Sequence, residues 1–335
     1  PRSWEATREK ARLRHQQAVV ERGKRDANKE RADALDEEAR QLILKFPAAR
    51  TETSIRSRTG PLLQELGFFA DAEALYTELL TTAKGDAPHL PLAALLISRK
   101  RPGEAVELAW KHQDRCSPVL TARILTEAVR VHRAKPPGEQ PADAVKIDEP
   151  RIDQWLDGRI AAHADDKPLL ATLIGARADL FDAQRKYDQA IAEYERGIAL
   201  NPDRADVLTN NLCMILALHR PGQANDAIAR MERLIQLRGP DPVFLDTLAV
   251  AYITRGGRLP SGEYAAVVAI QKLELALGQR QSPVYLYHLA WAYDLLDGKG
   301  LLKAETLARA EKLGLTLDDL HPLEAGKFRQ FYPKK

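Results

Sequence analysis

Two cysteines stand in 335 residues, Cys116 and Cys213, far apart and without partner spacing. A disulfide framework is therefore not expected, and both read as packed thiols of a reducing or redox-indifferent setting. Aromatic residues make up only 6% of the chain. No apolar run approaches the roughly 20 residues of a membrane-spanning helix, and no signal-peptide pattern opens the chain. Neither sign of charge dominates: the net charge of +3 gives little long-range attraction for a polyanion. Runs of alternating β-branched residues and hairpin signals are missing, so strands are not expected.

Catalytic signatures are missing too. No Gly-rich loop ends in GKS or GKT, no GxGxxG follows a strand, and neither GxSxG nor HExxH occurs. The eight histidines, His15, His89, His112, His132, His163, His219, His288 and His321, are scattered. His112 and Cys116 lie four apart, but two ligands do not make a structural zinc site. The acid pairs Asp165-Asp166 and Asp318-Asp319 flank expected helix starts, where the helix dipole accounts for them. No catalytic residue, metal ligand or cofactor site is expected. The chain opens at Pro1 without Met, which reads as an excised or processed piece, and the expected location is cytoplasmic.

What is present points to helices. Charged residues reach 29% and apolar residues 44%, with Ala, Leu, Glu, Arg and Lys abundant. One compact core rarely grows to this length, so two domains or a repeat array are expected. Residues 1–56 read as a charged N-terminal segment. Bases outnumber acids from Arg2 to Arg31, and acids catch up at Asp33, Asp36, Glu37 and Glu38. The expectation is one long, mostly exposed helix laced with salt bridges. The alternative is a partner-binding or nucleic-acid-binding arm, although Trp4 alone offers little for stacking on single strands.

From about Thr59 onward, apolar residues recur at helical spacing in blocks punctuated by Pro, Gly and Asp. The blocks give about seven helix pairs, near 57–83, 89–113, 117–163, 168–200, 204–237, 241–277 and 282–312. Residues 57–165 hold degenerate pairs and a Pro-rich loop at 133–149, residues 166–317 clearer repeats, and residues 318–335 a capping helix and tail.

Self-similarity carries the fold assignment. Asp241-Pro242-Val243-Phe244-Leu245-Asp246-Thr247-Leu248-Ala249-Val250-Ala251-Tyr252 matches Ser282-Pro283-Val284-Tyr285-Leu286-Tyr287-His288-Leu289-Ala290-Trp291-Ala292-Tyr293 at seven of twelve positions, 41 residues on. Second halves echo as well, at Tyr187-Asp188-Gln189-Ala190-Ile191, Ala224-Asn225-Asp226-Ala227-Ile228 and Ala269-Ile270. In residues 178–202, Ala178, Phe181, Tyr187, Ala190, Tyr194, Gly197 and Pro202 fall in one ordered pattern. These residues resemble the tetratricopeptide repeat family, over roughly residues 59–317. The resemblance implies an all-α, right-handed superhelical solenoid of antiparallel helix pairs, with an N-terminal helix and a C-terminal capping helix. Small residues let helix axes approach, and no unit buries its apolar face alone, so units stack.

The resemblance also implies where a partner would sit. First helices of successive pairs line a groove, and its contact positions here are Asn210, Asn211, Asp246, Thr247, Val250, Tyr287, His288 and Trp291. Asn211 matches an Asn that holds the bound peptide's backbone in many family members, a task suited to an amide. Tyr287 and Trp291, one turn apart, either offer an aromatic platform to a partner or pack on the capping helix, and Asn211 alternatively satisfies a local backbone group. The Lys, Arg and Asn set that grips a C-terminal carboxylate is not matched, since Asp246 and Thr247 stand there. The leading expectation is a protein-interaction scaffold or adaptor, or the docking module of a larger protein. Nucleic-acid binding through the basic N-terminal helix is the alternative, and an enzyme or a purely architectural role completes the range.

Overall fold

The computed structural model describes residues 3–24, 26–46, 49, 51–82, 85–134 and 145–333. Residues 135–144 of the expected Pro-rich loop lie outside the described residues. Among the described residues the fold is all-α, with an isolated bridge between Arg258 and Tyr264. The chain forms two compact units, Pro1–Ala128 and Val129–Lys335.

The first unit opens on a helical hairpin, α1 (Trp4–Arg22) and α2 (Lys29–Leu44), and this corrects the expectation of one long exposed helix. Gly23 follows α1, and Asn28 starts α2 by accepting a hydrogen bond from the Arg31 backbone N–H at 2.9 Å. Trp4, Ala11 and Ala18 are buried at seven-residue spacing, and Ala32 and Ala39 answer them across the pair. A stripe of alanines buries little area, yet it lets two helices approach closely. Trp4 stacks edge-on against Phe46, with ring centroids 5.1 Å apart. Ion pairs join the helices at Arg22–Asp36 (2.6 Å) and Arg14–Glu38 (2.9 Å).

The first unit continues with α3 (Glu52–Ser54), a π-helical turn (Ile55–Thr59), α4 (Gly60–Glu65), α5 (Phe69–Thr82), α6 (His89–Ser98), α7 (Pro102–His112) and the start of α8 (Pro118–Ala134). Gly60 is pressed against the Tyr76 ring, which a Cβ there would meet at 2.4 Å. Arg12 pairs with Glu65 at 2.7 Å and Arg40 with Asp71 at 2.6 Å, tying the hairpin to α4 and α5.

The second unit contains α9 (Glu149–Ala162) and four successive pairs. They are α10 (Lys167–Ala183) with α11 (Tyr187–Leu200), α12 (Asp206–His219) with α13 (Ala224–Arg238), α14 (Pro242–Arg255) with α15 (Ala265–Gln279), and α16 (Pro283–Asp294) with α17 (Gly300–Lys312). Local chemistry sets the ends. Asp166 and Asp241 cap α10 and α14, each followed by a Pro in the first turn. Gly239 and Gly256, at φ of +90° and +63°, close α13 and α14 in a backbone region that only Gly enters freely.

Each first helix packs on its own second helix, and α12, α14 and α16 pack on one another in turn. Second helices also contact the next first helix, so this unit is a helical-repeat solenoid. Small residues mark the closest approaches: Leu208 of α12 sits against both Gly175 of α10 and Gly197 of α11. Buried Tyr252 fills the space between α14 and α13, and its hydroxyl donates to Glu232 at 2.6 Å. The chain ends in two 3-10 turns, Leu317–Asp319 and Pro322–Glu324, and a short helix, α18 (Ala325–Phe331). The expected capping helix is therefore confined to its second half, because Pro322 and the capping Asp319 favour turns before it.

Candidate functional site

The eight expected contact residues sit on α12, α14 and α16, so the fold gathers them on the first helices. They are not an open surface. Asp246, Thr247, Val250, Tyr287 and His288 are 5%, 1%, 0%, 0% and 1% exposed, Asn210 is buried, and Asn211 and Trp291 are half-buried. Nine consecutive residues of α14, Leu245 to Ile253, are buried. A solenoid helix in two layers keeps one face open to water, so a further layer covers this one.

That layer is the chain's own C-terminal segment. The Pro322–Glu324 turn lies against α12. His321 reaches back to Asp182 of α10 at 2.9 Å. The Tyr287 ring packs against Phe328 and Phe331, with centroids 6.1 and 5.9 Å apart, and Lys327 pairs with Asp294 at the end of α16 at 2.6 Å. The expected aromatic platform is therefore already occupied: Phe328 and Phe331 bury Tyr287 and leave Trp291 at its edge.

The charged centre of this layer is a buried triad. His288 presents Nδ1 to Asp246 of α14 and Nε2 to Glu324, each at 2.7 Å, so both ring nitrogens donate to a carboxylate. Burial pushes the imidazolium towards deprotonation, but the two facing carboxylates outweigh it and raise its pKa to about 10. Burial also pushes Glu324 up, and here His288 and the His321 backbone N–H, 2.9 Å from Oε2, outweigh it and hold the carboxyl below its usual range. Asp246, wholly buried, is raised by burial beyond what His288 recovers. The triad thus joins α14, α16 and the C-terminal turn through one protonated imidazole.

On α12, α14 and α16 three buried polar atoms have no hydrogen-bond partner among the described residues. They are Asn210 Oδ1, Thr247 Oγ1 and the Tyr287 hydroxyl, one on each helix. Arg14, His89, His112, Arg177 and Gln184 also carry buried polar atoms without a protein partner among the described residues. Asn211 is engaged: its amide donates to Asp179 of α10 at 3.2 Å. Sequence reasoning missed Glu324, His321 and Asp182. The available signal was the recurrence of Leu317, Leu320, Leu323, Phe328, Phe331 and Tyr332 among the charged residues of the tail.

The N-terminal bases are largely neutralised in place. Arg8, Arg12, Arg14, Arg22, Lys24 and Arg40 each pair with an Asp or Glu. Among the described residues no group of three or more His, Cys, Asp and Glu is placed to hold a metal ion, and no helix is long and apolar enough to cross a membrane.

The stacked pairs and shared first-helix face define the architecture. The fold is tetratricopeptide-like. No family model matches the chain, and no curated protein matches it. Among solved structures 66 chains match. One is the crystal structure of the APC/C hetero-tetramer Cut9-Hcn1, at 16% identity and a TM-score of 0.46. The similarity covers 92% of this chain and 53% of that one, so the chain spans about half its length.

Proposed function

We propose that this chain is a non-enzymatic interaction scaffold that takes a peptide or helix of a partner protein on the face shared by α12, α14 and α16. One observation supports the reading most: a segment with a short helix already lies on that face, meeting His288 through Glu324 and Tyr287 through Phe328 and Phe331. A surface that accepts one such segment is suited to a second, better matched one. The paired bases of α1 and α2 offer no comparable support for a nucleic-acid reading, since phosphate contacts require cations free to release counterions.

Site-specific crosslinking tests the reading. A photoreactive residue replaces Val207, Val243 or Trp291 on first helices, or Leu237 or Leu275 on second helices, all of them at least partly exposed. Crosslinks to a discrete partner from the first-helix positions are expected. Crosslinks solely from Leu237 and Leu275 would move the working surface to the second helices and refute the proposal.

A further inference from the structure

The C-terminal segment differs from the helices beneath it in how it is held. Residues 316–332 contribute two large buried apolar side chains, Leu320 and Phe328, and otherwise half-buried or exposed ones apart from Glu324. Its attachment combines the packing of Leu317, Leu320, Phe328, Phe331 and Tyr332 with polar contacts ordered along the chain. The His321 ring, whose Nδ1 accepts from the Leu323 backbone N–H, meets Asp182; an anion, Glu324, meets His288; a cation, Lys327, meets Asp294; and aromatic residues four and seven positions after Glu324 meet Tyr287. These are side-chain contacts of the kind by which a peptide docks in a helical groove. Among the described residues, Asn210 Oδ1, Thr247 Oγ1 and the Tyr287 hydroxyl on α12, α14 and α16 have no hydrogen-bond partner.

We infer that residues 316–332 are a displaceable occupant of the first-helix face, and that the natural partner is an acidic, aromatic peptide which replaces them. The partner's chemistry follows from the lining. It needs a carboxylate to meet His288 and an aromatic residue about one helical turn later to stack on Tyr287. Because the segment is tethered, it competes at an effective concentration on the order of millimolar, so a free peptide of equal quality is held off. A partner gains access by a better match to His288 and Tyr287 than the segment makes. This inference rests on the scaffold reading and specifies its ligand.

The test uses the full chain and synthetic peptides. A labelled peptide of residues 316–333 is titrated against the wild-type chain and against a Phe328→Ala/Phe331→Ala variant, with binding read by fluorescence anisotropy. The variant, checked as helical by circular dichroism, is expected to bind the peptide at least about tenfold more tightly than wild type, because its own segment no longer competes. The same peptide carrying Glu324→Gln is expected to lose at least about 100-fold. An alanine-based helix carrying only a glutamate with phenylalanines four and seven residues on is expected to bind as well. No binding of these peptides by the folded variant overturns the inference. So does a wild-type chain that dimerises with concentration by exchanging this segment, since the occupant would then be a second copy.

Hydrogen exchange of the wild-type chain gives an independent reading that does not depend on the variant folding. Amides of α18 are expected to exchange at least about 100-fold faster than those of α14, through local opening. Equal protection would make the segment a fixed part of the fold. Failure of the peptide experiments leaves the crosslinking result standing, so the inference and the scaffold reading fall separately.

Discussion

Glu324→Gln is the substitution whose consequence the structure defines most closely. Glu324 is 2% exposed, and its two oxygens accept from His288 Nε2 and from the His321 backbone N–H. Glutamine keeps the shape and one acceptor but removes the charge, leaving a buried imidazolium with Asp246 alone. Removing one member of a buried ion pair costs about 3–5 kcal/mol. His288 has an escape: it can shed its proton, keep Nδ1–H on Asp246 and accept from the new amide. With a pKa of about 10, shedding that proton at pH 7 costs about 4 kcal/mol, at about 1.4 kcal/mol per tenfold. The expected loss at pH 7 is therefore about 3–4 kcal/mol.

The pH profile carries the sharper content. His288 is raised on folding, so its stabilisation is complete below its unfolded value near 6.5 and is lost as pH climbs through about 10. Glu324 is lowered on folding, so its contribution is present above the unfolded value of about 4.3 and is lost as pH falls through its folded value. Asp246 is raised by burial, which favours folding at low pH and is lost as pH rises, but it is common to both proteins. The difference between wild type and Glu324→Gln should thus be largest near pH 5.5–7 and shrink towards pH 10.5. Urea denaturation followed by far-UV circular dichroism at pH 5.5, 7 and 10.5 measures it. A difference below about 1 kcal/mol at pH 7, or one unchanged at pH 10.5, would show that His288 is not a charged tie between these elements.

Two further outcomes follow from burial alone. Gly60→Ala would place a Cβ 2.4 Å from the Tyr76 ring and 2.5 Å from the Ile55 carbonyl oxygen, and the second contact is backbone. An overpacking loss of about 1–3 kcal/mol is expected in thermal or urea unfolding, and a neutral result would mean that α4 and α5 do not meet at this glycine. The cysteines should be sluggish: burial raises Cys213 to about 12, and burial with nearby Asp86 raises Cys116 to about 11. At pH 7.5 a thiol-disulfide reagent is expected to modify half-buried Cys116 slowly and Cys213 only after denaturation. Rapid labelling of Cys213 in the native protein would contradict the packing of α12.

The repeat was legible because its signals are local. A Pro in the first turn, a small residue at the closest approach and an aromatic one turn on recur 41 residues apart at Pro242 and Pro283, and each helix pair can be read without knowing its neighbours. The N-terminal hairpin was less legible. Its interface is built from Ala11, Ala18, Ala32 and Ala39, whose spacing of seven says that helices meet but whose small size hardly registers against the surrounding charge. Gly23 and Asn28 carried the turn, and only the cap hydrogen bond at Asn28 distinguishes it from the middle of a long polar helix.

The first-helix face shows where reading from periodicity stops. The pattern placed Asp246 and His288 on one face, and that holds, because helical register is a local property. It could not say that the face is covered, because the cover comes from Glu324, 36 residues after His288, through a turn with no helical period of its own. A polar residue at a first-helix position has two physical meanings: a group left in water for a partner, or a group buried and paired within the chain. His288 is the second kind, and Thr247 Oγ1 is buried without a pair. The distinction lies in desolvation. Asp246 and His288 in an open groove would each be hydrated and individually dispensable, whereas under Glu324 they depend on one another. Conditions that release Glu324 therefore expose a cation, an anion and an aromatic ring together. A face that opens as a unit in this way favours a ligand able to match all three features over one that matches any single feature.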